Sequence, residues 1–382
     1  KQPIKFAFFL LSADDLQNEE KVLELTSEDF ALFNPNTKTC PIFRTRSDED
    51  LTRKLYHQAP VLVNEVTGEN PWGVSFKQGI FNMTTGSKFF LTKEKLEEQG
   101  SKLRGNLFIG DNQIYLPLYE AKMIHQYNHR WAYYYNENVD YSTESELRNI
   151  NFLSQPRYWI LNSFVNLRFQ KENNSNLLVY RKIARSTDER TGIFSKIPFY
   201  PTGDSLPLIN STKDEISQLL LLSNLTSYIW DYCLRNKNGG MNISFYIISQ
   251  TPTFLIDKYY SAIIYFLVPK LFELIYTAWD MQPFANQLWQ ESAPEMRQLY
   301  LEQRTSNYQA NPEGIGKLTP KDWENRLDAH ECPFPPFIWD EERRFQLRCD
   351  LDALFGHLYN LTRDEFAYIL ETFPIVRRRD EA

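Results

Sequence analysis

The stretch STKDEISQLLLLSNLTSYIWDYCLRNKNGGMNIS, residues 211–244, decides the fold that we predict for this chain. Thr212 and Glu215 have the spacing of a capping box, and a long apolar run follows them. We therefore predict a helix of about seven turns. Its apolar residues cover more than one face, so we expect it to be buried between other elements.

The sequence Asn238-Gly239-Gly240 predicts the end of this helix, because glycine readily adopts the left-handed conformation of a helix C-cap. The residues that follow, MNISFYIISQTP, are typical of a strand that ends at Pro252. A glycine pair could also cradle a phosphate, but phosphate loops precede a helix and this pair follows one. We therefore interpret Gly239 and Gly240 as a structural turn.

The remaining sequence predicts an α+β fold. Strand-like alternation dominates 1–118, with helices at 48–56, where Ser47 is the expected cap, and at 92–99. Strands and loops occupy 151–210, and 256–310 is helical with an interruption at Pro269. A loop over 310–337 and two closing helices complete the chain. We predict a mixed sheet with a long buried helix and a helical C-terminal region, divided into 1–135, 136–255 and 256–382.

Composition limits the classes of function. The net charge of −7 argues against a uniformly basic nucleic-acid binder, although 151–252 carries 11 Lys and Arg against 7 Asp and Glu. The four cysteines include no CxxC pair, so a zinc ribbon or a disulfide framework is not expected and a reducing cytoplasm fits. The first residues resemble neither a membrane helix nor a signal peptide. The abrupt start and end suggest a fragment of a longer protein.

Motifs for metal binding and catalysis are weak. His125 and His129 have the i, i+4 spacing of zinc peptidases, but Gln126 stands where the general base would be, so hydrogen-bonded histidines are favoured over a metal site. The tetrapeptide 334–337, FPPF, lacks the polar first residue that amino-methylating enzymes require and is interpreted as a turn. A nuclease motif at Glu120–Lys122 is not convincing. We predict no catalytic residue and no metal site.

Polar loops carry the remaining candidates. The segment IARSTDERTG at 183–192 contains Arg185, Ser186 and Arg190, and an extended segment contains Arg44 and Arg46. Arginine can hold phosphates or contact guanine edges, and asparagine can contact adenine. Ion pairs with nearby acids such as Asp188 and Glu189 are an equally good explanation of these arginines.

Several segments together resemble a known family: FNPNTKTCPIFR at 33–44, YLPLYEAKMIHQYNHRW at 115–131, PRYWI at 156–160, ARSTDERT at 184–191, YTAWDMQPFA at 276–285 and FPIVRRRDEA at 373–382. They resemble the C-terminal half of large bacterial adenine-N6 DNA methylases of the type IIG restriction–modification and BREX- or DISARM-like phage-defence class. In that family the S-adenosylmethionine-binding and Asn-Pro-Pro-Tyr motifs lie upstream. The segment from 219 to 252 also matches that family's helix, Gly-Gly turn and strand, except for Thr251 where Leu is frequent.

The resemblance implies that this chain is a target-recognition region, similar to the TaqI-type specificity domain, with its core at 136–255. It would close over double-stranded DNA opposite an upstream catalytic domain that flips the target adenine. The chain itself would hold no cofactor, and the parent enzyme would use S-adenosylmethionine. Other defence-system subunits are further candidate partners, and no membrane partner is expected. Candidate DNA contacts are Arg44, Arg46, Arg157, Arg185, Ser186, Arg190, Arg235, Lys237 and Asn242.

Two alternatives remain open. The acidic flanks and the aromatic content also suit a protein-interaction module of a defence complex that does not contact DNA directly. The second alternative is that the chain itself hydrolyses DNA. The salt dependence of binding separates DNA recognition from the protein-interaction module, because phosphate contacts make affinity fall steeply with ionic strength.

Overall fold

The computed structural model describes residues 2–169, 175–185, 188–315 and 331–380. The strands are β1 Ile4–Ala7, β2 Val22–Leu25, β3 Val74–Lys77, β4 Lys102–Arg104, β5 Leu107–Gly110, β6 Gln113–Pro117, β7 Ala132–Tyr135, β8 Asn138–Tyr141, β9 Trp159–Leu161, β10 Asn176–Tyr180, β11 Phe194–Pro198 and β12 Leu208–Ser211.

Helices make up much of the second half of the chain. They are α1 Ser27–Phe33, α2 Arg46–Gln58, α3 Lys93–Glu98, α4 Glu144–Arg148, α5 Asn162–Phe169, α6 Glu215–Thr226, α7 Tyr228–Lys237, α8 Phe245–Ser249, α9 Ser261–Ile275, α10 Gln282–Glu291, α11 Pro294–Ala310, α12 Pro312–Ile315, α13 Glu341–Leu358, α14 Arg363–Glu371 and α15 Pro374–Asp380. The predicted α+β class with a helical C-terminal region is confirmed.

The strands form small antiparallel sheets. Their orders are β11-β10-β12-β3, β4-β5-β6-β9, and the two-stranded pairs β1-β2 and β7-β8. Because β3 pairs with β12 and β6 pairs with β9, the predicted regions 1–135 and 136–255 share both larger sheets. The largest apolar core also draws residues from all three predicted regions, from Leu23 to Phe373. The boundaries of the regions remain a prediction.

The central helix differs from the prediction in two ways. It is divided at Ser227, whose extended backbone separates α6 from α7 and whose Oγ caps α7 by accepting from Trp230 N at 3.2 Å. The run of short polar side chains before the break explains it, since such side chains compete for backbone hydrogen bonds. The cap of α6 is Asp214, which accepts from Ser217 N at 2.7 Å, so the predicted capping box at Thr212 is wrong. The expected burial on more than one face is confirmed.

Glu215 has a different role, which links α6 to the sheet. Its carboxylate forms an ion pair with Lys196 of β11, and both side chains are fully buried. Lys196 Nζ also donates to Asn176 Oδ1 at 2.7 Å and to Gln218 Oε1 at 3.1 Å. Because a buried charge needs several partners, this cluster holds α6 at one place on the sheet.

Other elements agree with the sequence in part. Helix α3 lies within the predicted 92–99, and α13 and α14 are the predicted closing helices. The helix predicted at 48–56 is α2, but Thr45 caps it instead of Ser47 by accepting from Asp48 N at 3.0 Å. Helix α9 continues through Pro269, because most of its other residues are buried and their packing offsets the lost hydrogen bond. The loop predicted at 310–337 lies partly outside the described residues.

In the described ranges, no helix combines the length and apolar character needed to cross a membrane.

Candidate functional site

Three segments that are far apart in the sequence meet where α7 ends. Segment 182–184 runs beside 241–243: Ala184 N donates to Met241 O at 3.0 Å, and Ile243 N donates to Lys182 O at 2.8 Å. The turn after α1 lies on the other side of 236–242. The turn after α1 belongs to segment 33–44, and Ala184 begins segment 184–191; both are among the segments on which the predicted family resemblance rests.

Lys237, at the end of α7, connects two of these segments. Its Nζ donates to the carbonyl oxygen of Phe33 and, at 2.5 Å, to Asn34 Oδ1. Burial lowers the pKa of Lys237 to about 7, and the ammonium group also lies 5.2 Å from the centre of the Tyr56 ring. This candidate DNA contact therefore contacts the NPNT turn from inside the protein.

The glycine pair does not have the predicted conformation. Asn238 ends α7 with φ −87° and ψ 91°, and neither Gly239 nor Gly240 has a positive φ. A Cβ atom at either glycine would meet nothing within 4 Å. The left-handed C-cap is therefore wrong, because the chain leaves the helix through the extended Asn238. The strand predicted after it is also wrong: 245–249 is helix α8, since a short apolar run suits either structure and packing decides.

A cavity of about 490 Å³ opens beside this turn, and we call it the amide cavity. Its polar lining includes five carboxamides: Asn34, Asn236, Asn238, Asn242 and Gln250. Gln250 holds the opposite wall, because its Oε1 accepts from Asn36 N at 2.9 Å and from Thr37 N at 3.2 Å. The candidate DNA contacts Lys237 and Asn242 line this cavity together with Gly239 and Gly240, whereas the candidate Arg235 does not.

Two of these amides have unused donors. The Nδ2 atoms of Asn236 and Asn238 are buried and have no hydrogen-bond partner in the described part of the chain. Asn238 is 3% exposed, while Asn242 is exposed at the rim. A buried donor without a partner is unfavourable, so each of these two groups calls for an explanation.

Arg190 and Arg235 are buried behind this surface. Arg190 Nε donates to Asp231 Oδ2 at 2.8 Å, and Asp231 also accepts from Thr191 N and, at 3.0 Å, from Gly192 N. Burial alone would lower the pKa of Arg190, but the Asp231 carboxylate raises it above its ordinary value. Arg235 donates to Thr191 Oγ1 at 3.1 Å and to three backbone carbonyls. Both arginines hold loop 188–192 against α7.

The other candidate arginines are more accessible. Arg185 is exposed in the loop beside Met241, and Arg44 is exposed near the Phe9 ring. Arg46 is exposed and donates to the carbonyl oxygen of Val22 at 3.1 Å.

Arg157 is not among the lining residues, and Ser186 falls outside the described residues. Arg157 forms ion pairs at 3.5 Å with Glu120 and with Glu137, and its guanidinium carbon lies 4.7 Å from the centre of the Tyr158 ring. The assignment of all these residues to DNA contact remains a prediction.

The histidine pair and the FPPF tetrapeptide are structural. His129 Nε2 and buried Asp280 Oδ1 are 2.9 Å apart, and the His125 ring packs against Trp131 instead. The two histidines lie in a turn and do not share a helix face. Within the described ranges, no group of three or more His, Cys, Asp or Glu side chains could hold a metal ion. Phe334 and Phe337 are buried against Phe272.

Three buried or cavity-lining groups have no local signature in the sequence. Arg130 is fully buried and donates to the backbone carbonyls of Asn149, Phe152, Leu147 and Thr277. Arg344 is buried and donates to the carbonyl oxygens of Leu274, at 2.9 Å, and Tyr127, at 3.2 Å. Asp352 lines a second cavity and accepts from Tyr228 N. These partners are distant in sequence, so spacing carries no signal for them.

No protein-family model matches the chain, and comparison with curated proteins gave no match. The resemblance to adenine-N6 methylases therefore remains a prediction.

Proposed function

We propose that this chain is the DNA sequence-recognition portion of an adenine-specific (N6) DNA methyltransferase of a restriction–modification or phage-defence system. The observation that carries the proposal is the meeting of segments 33–43 and 236–242 around the amide cavity, with residues 182–184 hydrogen-bonded along the outer side of 241–243. Carboxamides at a concave surface suit the recognition of base edges, because Asn and Gln can form two hydrogen bonds with adenine.

The burial of each candidate suggests its role. Arg44, Arg185 and Asn242 are exposed and would contact DNA directly. Arg190, Arg235 and Lys237 donate inward and would position the loops that carry those contacts. The net charge of −7 means that any attraction of DNA would have to be local to the exposed cations of this face.

The partners follow from this assignment. Double-stranded DNA would lie between this chain and an upstream catalytic domain, which would bind S-adenosylmethionine and flip the adenine. The location would be the cytoplasm, and other subunits of a defence system would be further partners.

The full-length protein that contains this chain tests the proposal. Asn242→Ala should change the methylated DNA sequence, because it removes a base contact. Arg185→Ala should weaken DNA binding on all sequences and lower the salt slope by about one. Genome-wide mapping of methylated adenines gives the first result, and fluorescence anisotropy at several salt concentrations gives the second.

Lys93→Ala is the control, since Lys93 is an exposed cation of α3 and does not line the amide cavity. If Asn242→Ala and Arg185→Ala both behave like this control, the chain does not recognise DNA through this surface.

A protein-interaction module is the second candidate, and one observation favours it. Large apolar side chains are exposed around the amide cavity: Ile42 is 44% exposed, Met241 54%, Ile183 58% and Tyr246 58%. Exposed apolar groups close together are typical of protein interfaces. Binding of a protein partner that does not depend on salt, together with no binding of DNA duplexes, would favour this function.

A further inference from the structure

A second cavity of about 520 Å³ lies between α7, α13, α14 and the turn at 125–131. We call it the carboxylate cavity, because its lining includes four carboxyl side chains: Glu189, Glu341, Asp352 and Glu371. Aromatic rings form much of the remaining wall: Trp131, Tyr228, Trp339, Phe345 and Phe366. The cavity opens to solvent near Phe345 and Leu370, which are 41% and 37% exposed.

The cations of the lining already have carboxylate partners. Arg190 pairs with Asp231, which does not line the cavity. Arg348 pairs with Glu341 at 3.3 Å. The lining thus carries four carboxyl groups and two guanidinium groups, and both guanidinium groups already pair with a carboxylate.

Asp352 is the carboxylate that the structure leaves most available. Its Oδ1 accepts from Tyr228 N at 2.8 Å, which orients the group toward the start of α7. Among the described residues it forms no ion pair within 4.0 Å. Burial raises its pKa to about 6, although Arg190 and Arg348 act in the opposite direction. An ionised group held at such a cost in a cavity is typical of a functional site.

We propose that the carboxylate cavity binds an organic cation, with Asp352 pairing with an ammonium or guanidinium group and the aromatic rings enclosing its apolar part. A cavity of this size suits a small ligand or one long side chain. Carboxylate pairing and contact with aromatic rings are the two interactions that proteins use for such cations. The cation could be free, as a polyamine is, or could be the basic side chain of a protein.

Isothermal titration calorimetry with two probes tests the proposal and separates these sources. N-acetyl-arginine amide represents a protein side chain, and spermidine represents a free polyamine. N-acetyl-citrulline amide has nearly the same shape as the first probe without its charge. We expect saturable binding of at least one cationic probe and none of the citrulline probe.

Asp352→Asn should lower the affinity for the cationic probe about tenfold, because it removes a charge-assisted hydrogen bond while keeping an acceptor for Tyr228 N. Asp350→Asn is the matched control on α13: Asp350 pairs with Lys270 at 3.4 Å and does not line the cavity. Binding of arginine amide indicates a protein side chain, and binding of spermidine alone indicates a free polyamine. Equal binding of citrulline, equal effects of both variants, or no binding of either cation would overturn the proposal.

Discussion

Replacing Arg190 separates a structural role from a DNA-contacting one. In Arg190→Met, Asp231 loses the Nε donor at 2.8 Å, and the carbonyl oxygen of Thr226 loses the donor from the same guanidinium. The stacking of the Arg190 guanidinium carbon on Tyr228, 3.9 Å from the ring centre, is also lost. Asp231 is fully buried and, among the described residues, keeps two backbone donors, Thr191 N and Gly192 N.

Leaving a buried carboxylate without its charge partner costs about 3–5 kcal/mol of unfolding free energy. Asp231→Asn removes the charge itself. The loss of unfolding free energy in the double variant Arg190→Met/Asp231→Asn should therefore be smaller than the sum of the losses in the two single variants. Arg348→Met is the control, because Arg348 and Glu341 are both partly exposed and such pairs contribute below about 1 kcal/mol.

Urea denaturation followed by tryptophan fluorescence measures these differences as shifts of the midpoint at constant slope. The affinity of each folded variant for DNA is measured in parallel. If Arg190→Met lowered the free energy of unfolding by less than about 1 kcal/mol, or if the effects were additive in the double variant, the structural role would be refuted.

Two other predictions concern glycine and pH. Gly73→Ala should lower the free energy of unfolding by about 2–4 kcal/mol, because φ of Gly73 is +56° and the new Cβ would lie 2.1 Å from Thr212 Oγ1. The control Gly239→Ala should change the free energy of unfolding by no more than about 0.5 kcal/mol, because its Cβ would meet nothing within 4 Å. Equal urea midpoints for the two variants would contradict this prediction. Burial raises the pKa of Asp352 to about 6, against an ordinary value of 3.8. Between these two pH values the folded state binds more protons than the unfolded state. The contribution of Asp352 to stability is therefore lost as pH rises through that range. The free energy of unfolding of Asp352→Asn should therefore rise by about 1–2 kcal/mol relative to the parent protein between pH 4 and pH 7.5, a figure reduced for partial solvent exposure. Thermal or urea midpoints of both proteins measured across this range test this. If the pKa of Asp352 were ordinary, the difference between the two midpoints would not change with pH.

The candidate site could be predicted from the sequence only in part. Arg235, Lys237 and Asn242 are predicted DNA contacts around the glycine turn, and Lys237 and Asn242 line the amide cavity whereas Arg235 does not. The sequence did not indicate which cations would be buried, because Arg185 and Arg190 stand in the same polar loop. Arg185 is exposed and Arg190 is buried, since only Arg190 lies beside the carboxylate of Asp231.

Sequence alone determined the features that depend on neighbours within a few residues. The apolar run of 215–237 predicts buried helix, and α14 is one of the two predicted closing helices, because hydrophobic periodicity acts over one or two turns. Tertiary structure decided what depends on distant partners. The break at Ser227, the helix at 245–249 and the pairing of Lys196 with Glu215 all follow from burial against other elements. A buried polar group must find a partner wherever the fold brings one, and spacing along the chain does not record that partner.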